Sequence, residues 1–168
     1  MPTILRAPER LSAAQRKTTT TLYLAGPIDG GGGAGGSWRD EVIDACDDLD
    51  ITIIDQRNDR WPDLVAGSPG RRGAYDWQCA SAYDADVVVV WVPDGSHAPT
   101  ALMLLGYLAA KRGNAKRGSS VVVGGKGWDG LMRLFAQNHR LFPVDGDLDE
   151  VIRIARIQLA QAAKTKVG

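Results

Sequence analysis

Two aspartates bracket the most apolar run of the chain. Asp84 stands immediately before ADVVVVWVP, residues 85–93, and Asp94 immediately after it. A carboxylate at the end of a buried strand is carried by a rigid element, so either can serve as nucleophile or as general acid and base toward a bond presented there. Asp76 and Asp129 are placed near strand ends or pocket loops and offer the same chemistry from other directions. For each acid a structural role stays open, because aspartates beside strand starts commonly cap or terminate helices, and Asp84 and Asp86 bracket Ala85 in that way. His97, in the loop after the strand, reads either as a purine contact or as a general base, while His139 sits near the end of a late helix.

A second group of residues suits a flat, polar ligand. TTLYLAG, residues 20–26, stops at Gly26-Pro27 and gives way to IDGGGGAGG, a loop nearly without side chains. Bare N–H groups entering a helix can cradle a phosphate, and Asp55 after ITII imitates the acid that holds a ribose in dinucleotide folds. The other reading of GGGGAGG is a linker or surface flap, since it lacks the spacing of GxGxxG and costs much entropy to fix. Trp61 and Trp128 are candidates to stack on a nucleobase, Arg57 or Arg60 to meet a phosphate, and Trp91 is assigned to the core.

The elements that must position these residues follow from periodicity. Strands are expected at 20–26, at ITII (51–54), at 85–93 and at SSVVVGG (119–125), with a short apolar run, RLFPV, near the end. Helices are expected at SWRDEVIDACDDLD, where Ser37 and Asp40 have capping-box spacing, at AYDWQCASAY, at APTALMLLGYLAAKRG and at GLMRLFAQN. The last helix, from about Asp147 to Ala163, places Leu148, Val151, Ile152, Ala155, Leu159 and Ala162 on one stripe. Alternating strands and helices predict a flavodoxin-like, Rossmann-type sheet of five parallel strands with helices on both faces. Ligands of such sheets lie over the carboxyl ends of the strands at the switch point, which selects the loops Gly26–Gly36, Asp55–Gly73, Asp94–Pro99 and Gly124–Asp129.

At 168 residues the chain suits one domain, read as a flexible leader at 1–17 and a single α/β domain at 18–168. Twenty basic residues balance twenty acidic ones, so no net field draws in a polyanion, and neither nucleic acid nor membrane is an expected partner. Cys46 and Cys79 form no CxxC motif and read as buried thiols of a cytoplasmic protein. No signal segment, membrane anchor, metal cluster or cofactor is expected.

LYLAGPI, DQRNDRW, DWQCASAYDADVVVVWVP and TALMLLGYLAAKRG, in this order from about Leu22 to Val123, resemble the nucleoside 2-deoxyribosyltransferase-like proteins. The resemblance implies a small α/β domain that cleaves or exchanges the N-glycosidic bond of nucleosides or nucleotides. Breaking that bond builds oxocarbenium character, so a carboxylate under C1′ acts as nucleophile while a second acid assists the departing base. By the resemblance, the nucleophile is a Glu just before a Leu/Ile-Gly pair on the helix after the third strand. Here Leu104 precedes Leu105-Gly106. A further family acid stands eight residues before the Asp that opens the third strand, and counting back from Asp86 gives Gln78. A third aligns near Ala98, with Asp94 close by, and Tyr23 keeps the tyrosine that lies against nucleophile and sugar.

Leucine has neither lone pair nor titrating proton, and Gln78 can hydrogen-bond but cannot relay a proton at neutral pH. Three readings follow. The first is a binding protein for a nucleoside, nucleotide or ADP-ribose-like molecule, with contacts from Tyr23, Gly26, Pro27, Arg57, Trp61, Gln78, Asp94, His97, Leu104 and Trp128. The second is an active N-glycosidic enzyme with relocated acids, Asp94 or Asp84. The third is an accessory subunit whose pocket is closed by Leu104 and Met103 packing inward. The resemblance also implies a homo-oligomer whose neighbouring chains complete the pocket.

Overall fold

The computed structural model describes residues 1–27, 37–57, 69–96, 98–112, 120–126, 130–139 and 141–167. The strands are β1 (Thr3–Arg6), β2 (Thr20–Ala25), β3 (Ile51–Asp55), β4 (Val87–Trp91), β5 (Ser120–Gly124) and β6 (Phe142–Pro143). The helices are α1 (Ala13–Thr18), α2 (Ser37–Asp44), α3 (Pro69–Asp84), α4 (Pro99–Arg112), α5 (Gly130–Asn138) and α6 (Leu148–Val167).

The strands form one sheet in the order β1-β3-β2-β4-β5-β6, every neighbouring pair parallel. Six strands replace the five expected. The additional one is β1, at the N-terminal edge of the sheet, where Thr3 to Arg6 pair with Thr52 to Asp55 of β3. Without β1 the order is compatible with a flavodoxin-like sheet, and the direction of connection reverses between β2 and β4.

Strand alternation sorts the core into two layers. Leu22, Leu24, Ile53, Val87, Val89 and Val122 face α2 and α6, where they meet Trp38, Val42, Val151 and Leu159. Tyr23, Ala25, Ile54, Val88, Val90 and Val123 face α3 and α4, where they meet Trp77, Ala82, Leu104, Leu105 and Leu108. Trp91 packs in the first layer, as expected. Both faces of β2 and β4 are therefore covered, which is why these strands read as continuous apolar runs.

Helix α3 starts at Pro69, inside a stretch read as loop, because proline is well suited to the first turn of a helix, where its missing N–H is not needed. Helix α1 is fixed by a capping box: Ser12 Oγ accepts from Gln15 N at 3.2 Å, and Ser12 N donates to Gln15 Oε1 at 2.9 Å. The C-terminal turn of α6 returns to the amino edge of the sheet. Lys166 Nζ donates there to Asp86 Oδ2 and Thr19 O, each at 2.6 Å, and to Arg16 O at 3.0 Å. Asp86 also accepts from Thr21 N and Thr21 Oγ1, each at 2.8 Å, so one carboxylate ties β2, β4 and α6 together.

Candidate functional site

All strands being parallel, Ala25, Asp55, Trp91 and Gly124 end at the same edge of the sheet. Two buried polar assemblies lie at or just beneath this edge, one on each face.

The first is built on Asp55, which is wholly enclosed. Arg39, from the first turn of α2, reaches Asp55 Oδ1 at 3.2 Å and donates to Leu24 O and Gly26 O, each at 3.0 Å. Arg57 donates through Nε to Asp55 Oδ2 at 2.5 Å and through its backbone N to Oδ1 at 3.1 Å. Its Nη2 pairs with Asp40 at 2.7 Å. Gln56 adds donations to Leu24 O at 3.2 Å and Gly26 O at 3.4 Å. Burial pushes the Arg39 guanidinium down to about 10, and Asp55 opposes that shift.

The assembly holds the end of β2 and the start of its loop in place. Gly26 permits this closeness: a Cβ there would lie 2.5 Å from Trp91 O and 2.7 Å from Trp38 Cζ2. Gly125 plays the same part after β5, where its φ of +122° and the adjoining Val92 backbone leave no room for a side chain. Asp55 is thus engaged by two arginines and presents no free oxygen to a ribose. Arg57, expected to meet a phosphate, is already neutralised by two carboxylates.

The second assembly lies on the α3 and α4 face. Tyr23 pairs in register with Ile54 and Val88 at the centre of the sheet and is completely buried. Its ring centroid is 6.3 Å from that of Trp77. Trp77 is anchored in turn by donating from Nε1 to Glu9 O at 2.8 Å. Gln78, the next residue on α3, is 7% exposed. Leu104, on α4, is 1% exposed and belongs to the same core layer as Tyr23 and Trp77. The Tyr23 hydroxyl has no partner among the described residues, and its burial raises its ionisation well above the ordinary value of 10. Met103, by contrast, is 60% exposed and does not pack inward.

The structure separates the two candidate acids. Asp94 is exposed in the turn after β4, in which Ser96 donates from Oγ to Pro93 O at 2.7 Å and Gly95 adopts φ +67°. Asp84 is the last residue of α3, at the amino edge of the sheet, where it pairs with Arg16. The five residues of β4 lie between them, roughly 15 Å of strand at about 3.3 Å per residue. Pro27 follows Gly26 at the carboxyl edge, half-buried. Trp61, His97, Trp128, Arg60, Asp129 and the Gly30–Gly36 loop lie outside the described residues.

Arg39 is the residue that sequence reasoning missed. A charged residue between Trp38 and Asp40 on an amphipathic helix reads as solvent-facing, and nothing in the spacing signals that it turns under the strand ends. Among the described residues, no group of histidines, cysteines and acids is arranged to hold a metal ion, and no helix is long and apolar enough to cross a membrane.

Comparison with curated proteins gives no match. A family model described as nucleoside 2-deoxyribosyltransferase like matches residues 19–117, more than half of the chain, from the start of β2 past the end of α4. That span holds Tyr23, Gln78, Asp94 and Leu104 together with the strands and helices that carry them, and the chain belongs to the nucleoside 2-deoxyribosyltransferase-like family.

Proposed function

We propose that the protein binds a nucleoside, nucleotide or ADP-ribose-like small molecule at the carboxyl edge of the sheet and leaves its N-glycosidic bond intact. The observation that carries this reading is Leu104: at the position where the resemblance puts the nucleophile, the side chain is apolar and sealed in the core beside Tyr23. Without a carboxylate there, no covalent intermediate forms, and loss of such a nucleophile costs several orders of magnitude in rate. Gln78 retains hydrogen-bonding capacity for a base or sugar hydroxyl but has no proton to relay. The reading requires no metal or cofactor and includes a homo-oligomer.

Two other readings each have an observation behind them. The exposed carboxylate of Asp94 lies at the carboxyl edge, where a relocated acid is needed, whereas Asp84 lies at the amino edge. The complete burial of Tyr23 and Leu104 also suits an accessory subunit that takes no small ligand.

One experiment separates all three. The protein is incubated with deoxynucleosides, ribonucleosides, their monophosphates and ADP-ribose derivatives, and ultrafiltration with mass spectrometry reads retained ligands and released bases together. An intact retained ligand is the expected result. Free base growing with time overturns the proposal in favour of Asp94-dependent cleavage, and neither signal favours the accessory subunit.

A further inference from the structure

On the α3 face of the sheet, residues 5–16, Ile54 of β3 and the second half of α3 line an open pocket. Its apolar lining is Leu5, Leu11, Ile54 and Ala80. Leu5 and Ile54 are register partners in the β1–β3 ladder, so two neighbouring strands form a rigid floor. Its polar lining is Arg10, Arg16, Ser81 and Asp84. Four of the eight lining residues precede residue 19, where the family match begins, so the family core alone does not build this site.

The charges around the cavity do not cancel. Arg16 is paired with Asp84, which leaves the Arg10 guanidinium without an ion-pair partner among the described residues. Ser81, only 9% exposed, brings a hydroxyl to the lining. One cation without an ion-pair partner among the described residues and one hydroxyl therefore stand beside an apolar floor. The complementary ligand carries a single negative charge on a planar, hydrogen-bonding head and a short hydrocarbon portion.

We propose that this cavity binds a small organic monoanion, a short-chain carboxylate, with its head on Arg10 and Ser81 and its hydrocarbon on Leu5, Leu11 and Ile54. The pocket lies on the same face as Tyr23 but is lined by none of the residues assigned to nucleoside binding, so the two proposals are tested with different probes.

The test is a two-dimensional NMR titration of the full chain with butyrate, with butyramide and inorganic phosphate as the probes that lack the charge and the hydrocarbon respectively. Saturable shifts at Leu11 and Ser81 with butyrate, at least about tenfold weaker with either control, are expected. Arg10→Ala, at an exposed residue without an ion-pair partner, should keep the fold and weaken butyrate about tenfold. Ser81→Ala should weaken it several-fold. The proposal is overturned if butyrate shows no saturable shift, if butyramide or phosphate binds equally well, or if Arg10→Ala leaves the affinity unchanged.

Discussion

Asp55 and Tyr23 are buried polar residues on adjacent strands, and their surroundings are opposite. Asp55 has both oxygens engaged by two arginines, while the Tyr23 hydroxyl has no partner among the described residues. The first assembly fixes the ends of β2 and β3. The second keeps a tyrosine whose proposed acceptor position holds Leu104. The Asp55 carboxylate is satisfied even though Arg39 Nε beside it has no partner among the described residues, whereas the Tyr23 hydroxyl is orphaned outright and its purpose lies with something else, a lost side chain or a ligand.

The largest break in this comparison comes from the satisfied side. Arg39→Met leaves Asp55 buried with Arg57 alone and releases Leu24 O and Gly26 O from their guanidinium donors. Removing one partner of a buried pair costs about 3–5 kcal/mol, and chemical denaturation should show a midpoint lowered accordingly. A loss under about 1 kcal/mol would mean that the assembly contributes little to the fold.

Leu104→Glu acts on the other side. It puts a carboxylate into the core layer that holds Tyr23 and reinstates the residue type that the family resemblance implies. Stability should fall by about 2–4 kcal/mol, because a packed leucine is lost and an acid is buried. Free base should nevertheless appear from a nucleoside that the unaltered protein retains intact. Absence of base release from a folded variant that still binds the nucleoside would show that Leu104 is not the sole defect, and Gln78→Glu would be added next.

How far these features could be read from sequence depended on how local their causes are. The strands β2 and β4 are legible because both faces are covered, so nearly every residue is apolar. The four residues of β1 form a half-exposed edge strand with no such signature, and its pairing with β3 is a tertiary fact. Leu104 could be placed on α4, and its inward face follows from its spacing with Ala101, Leu105 and Leu108. Asp84 directly precedes the β4 run, so its place at the amino edge was legible once the strands were read as parallel. Arg39 was hidden: its partners are main-chain carbonyls and an acid 16 residues away, which no helical pattern reveals.

A smaller effect is expected at the amino edge, where Lys166 joins Asp86 to two main-chain carbonyls. Lys166→Met keeps the aliphatic stem and removes the donors, so the loss should be about 1–3 kcal/mol. Amide exchange should rise first in the last turn of α6 and in α1. Uniform loosening of the whole chain instead would mean that this edge is part of the global unfolding unit.

The smallest change, Tyr23→Phe, sharpens the comparison most because its two readouts move in opposite directions. Deleting an unpaired buried hydroxyl should raise stability by about 1 kcal/mol in the absence of ligand. The same deletion should weaken any ligand to which that hydroxyl donates. Alkaline titration adds a third readout. Burial raises the Tyr23 ionisation above its ordinary value of 10, so the folded state keeps this proton when the unfolded state loses it. The associated stability is fully present below pH 10 and is lost as the pH climbs above it. Denaturation midpoints measured on either side of pH 10 should therefore fall less in Tyr23→Phe than in the unaltered protein. If the variant is destabilised in the absence of ligand, Tyr23 has a partner that satisfies it, and the contrast with Asp55 is gone.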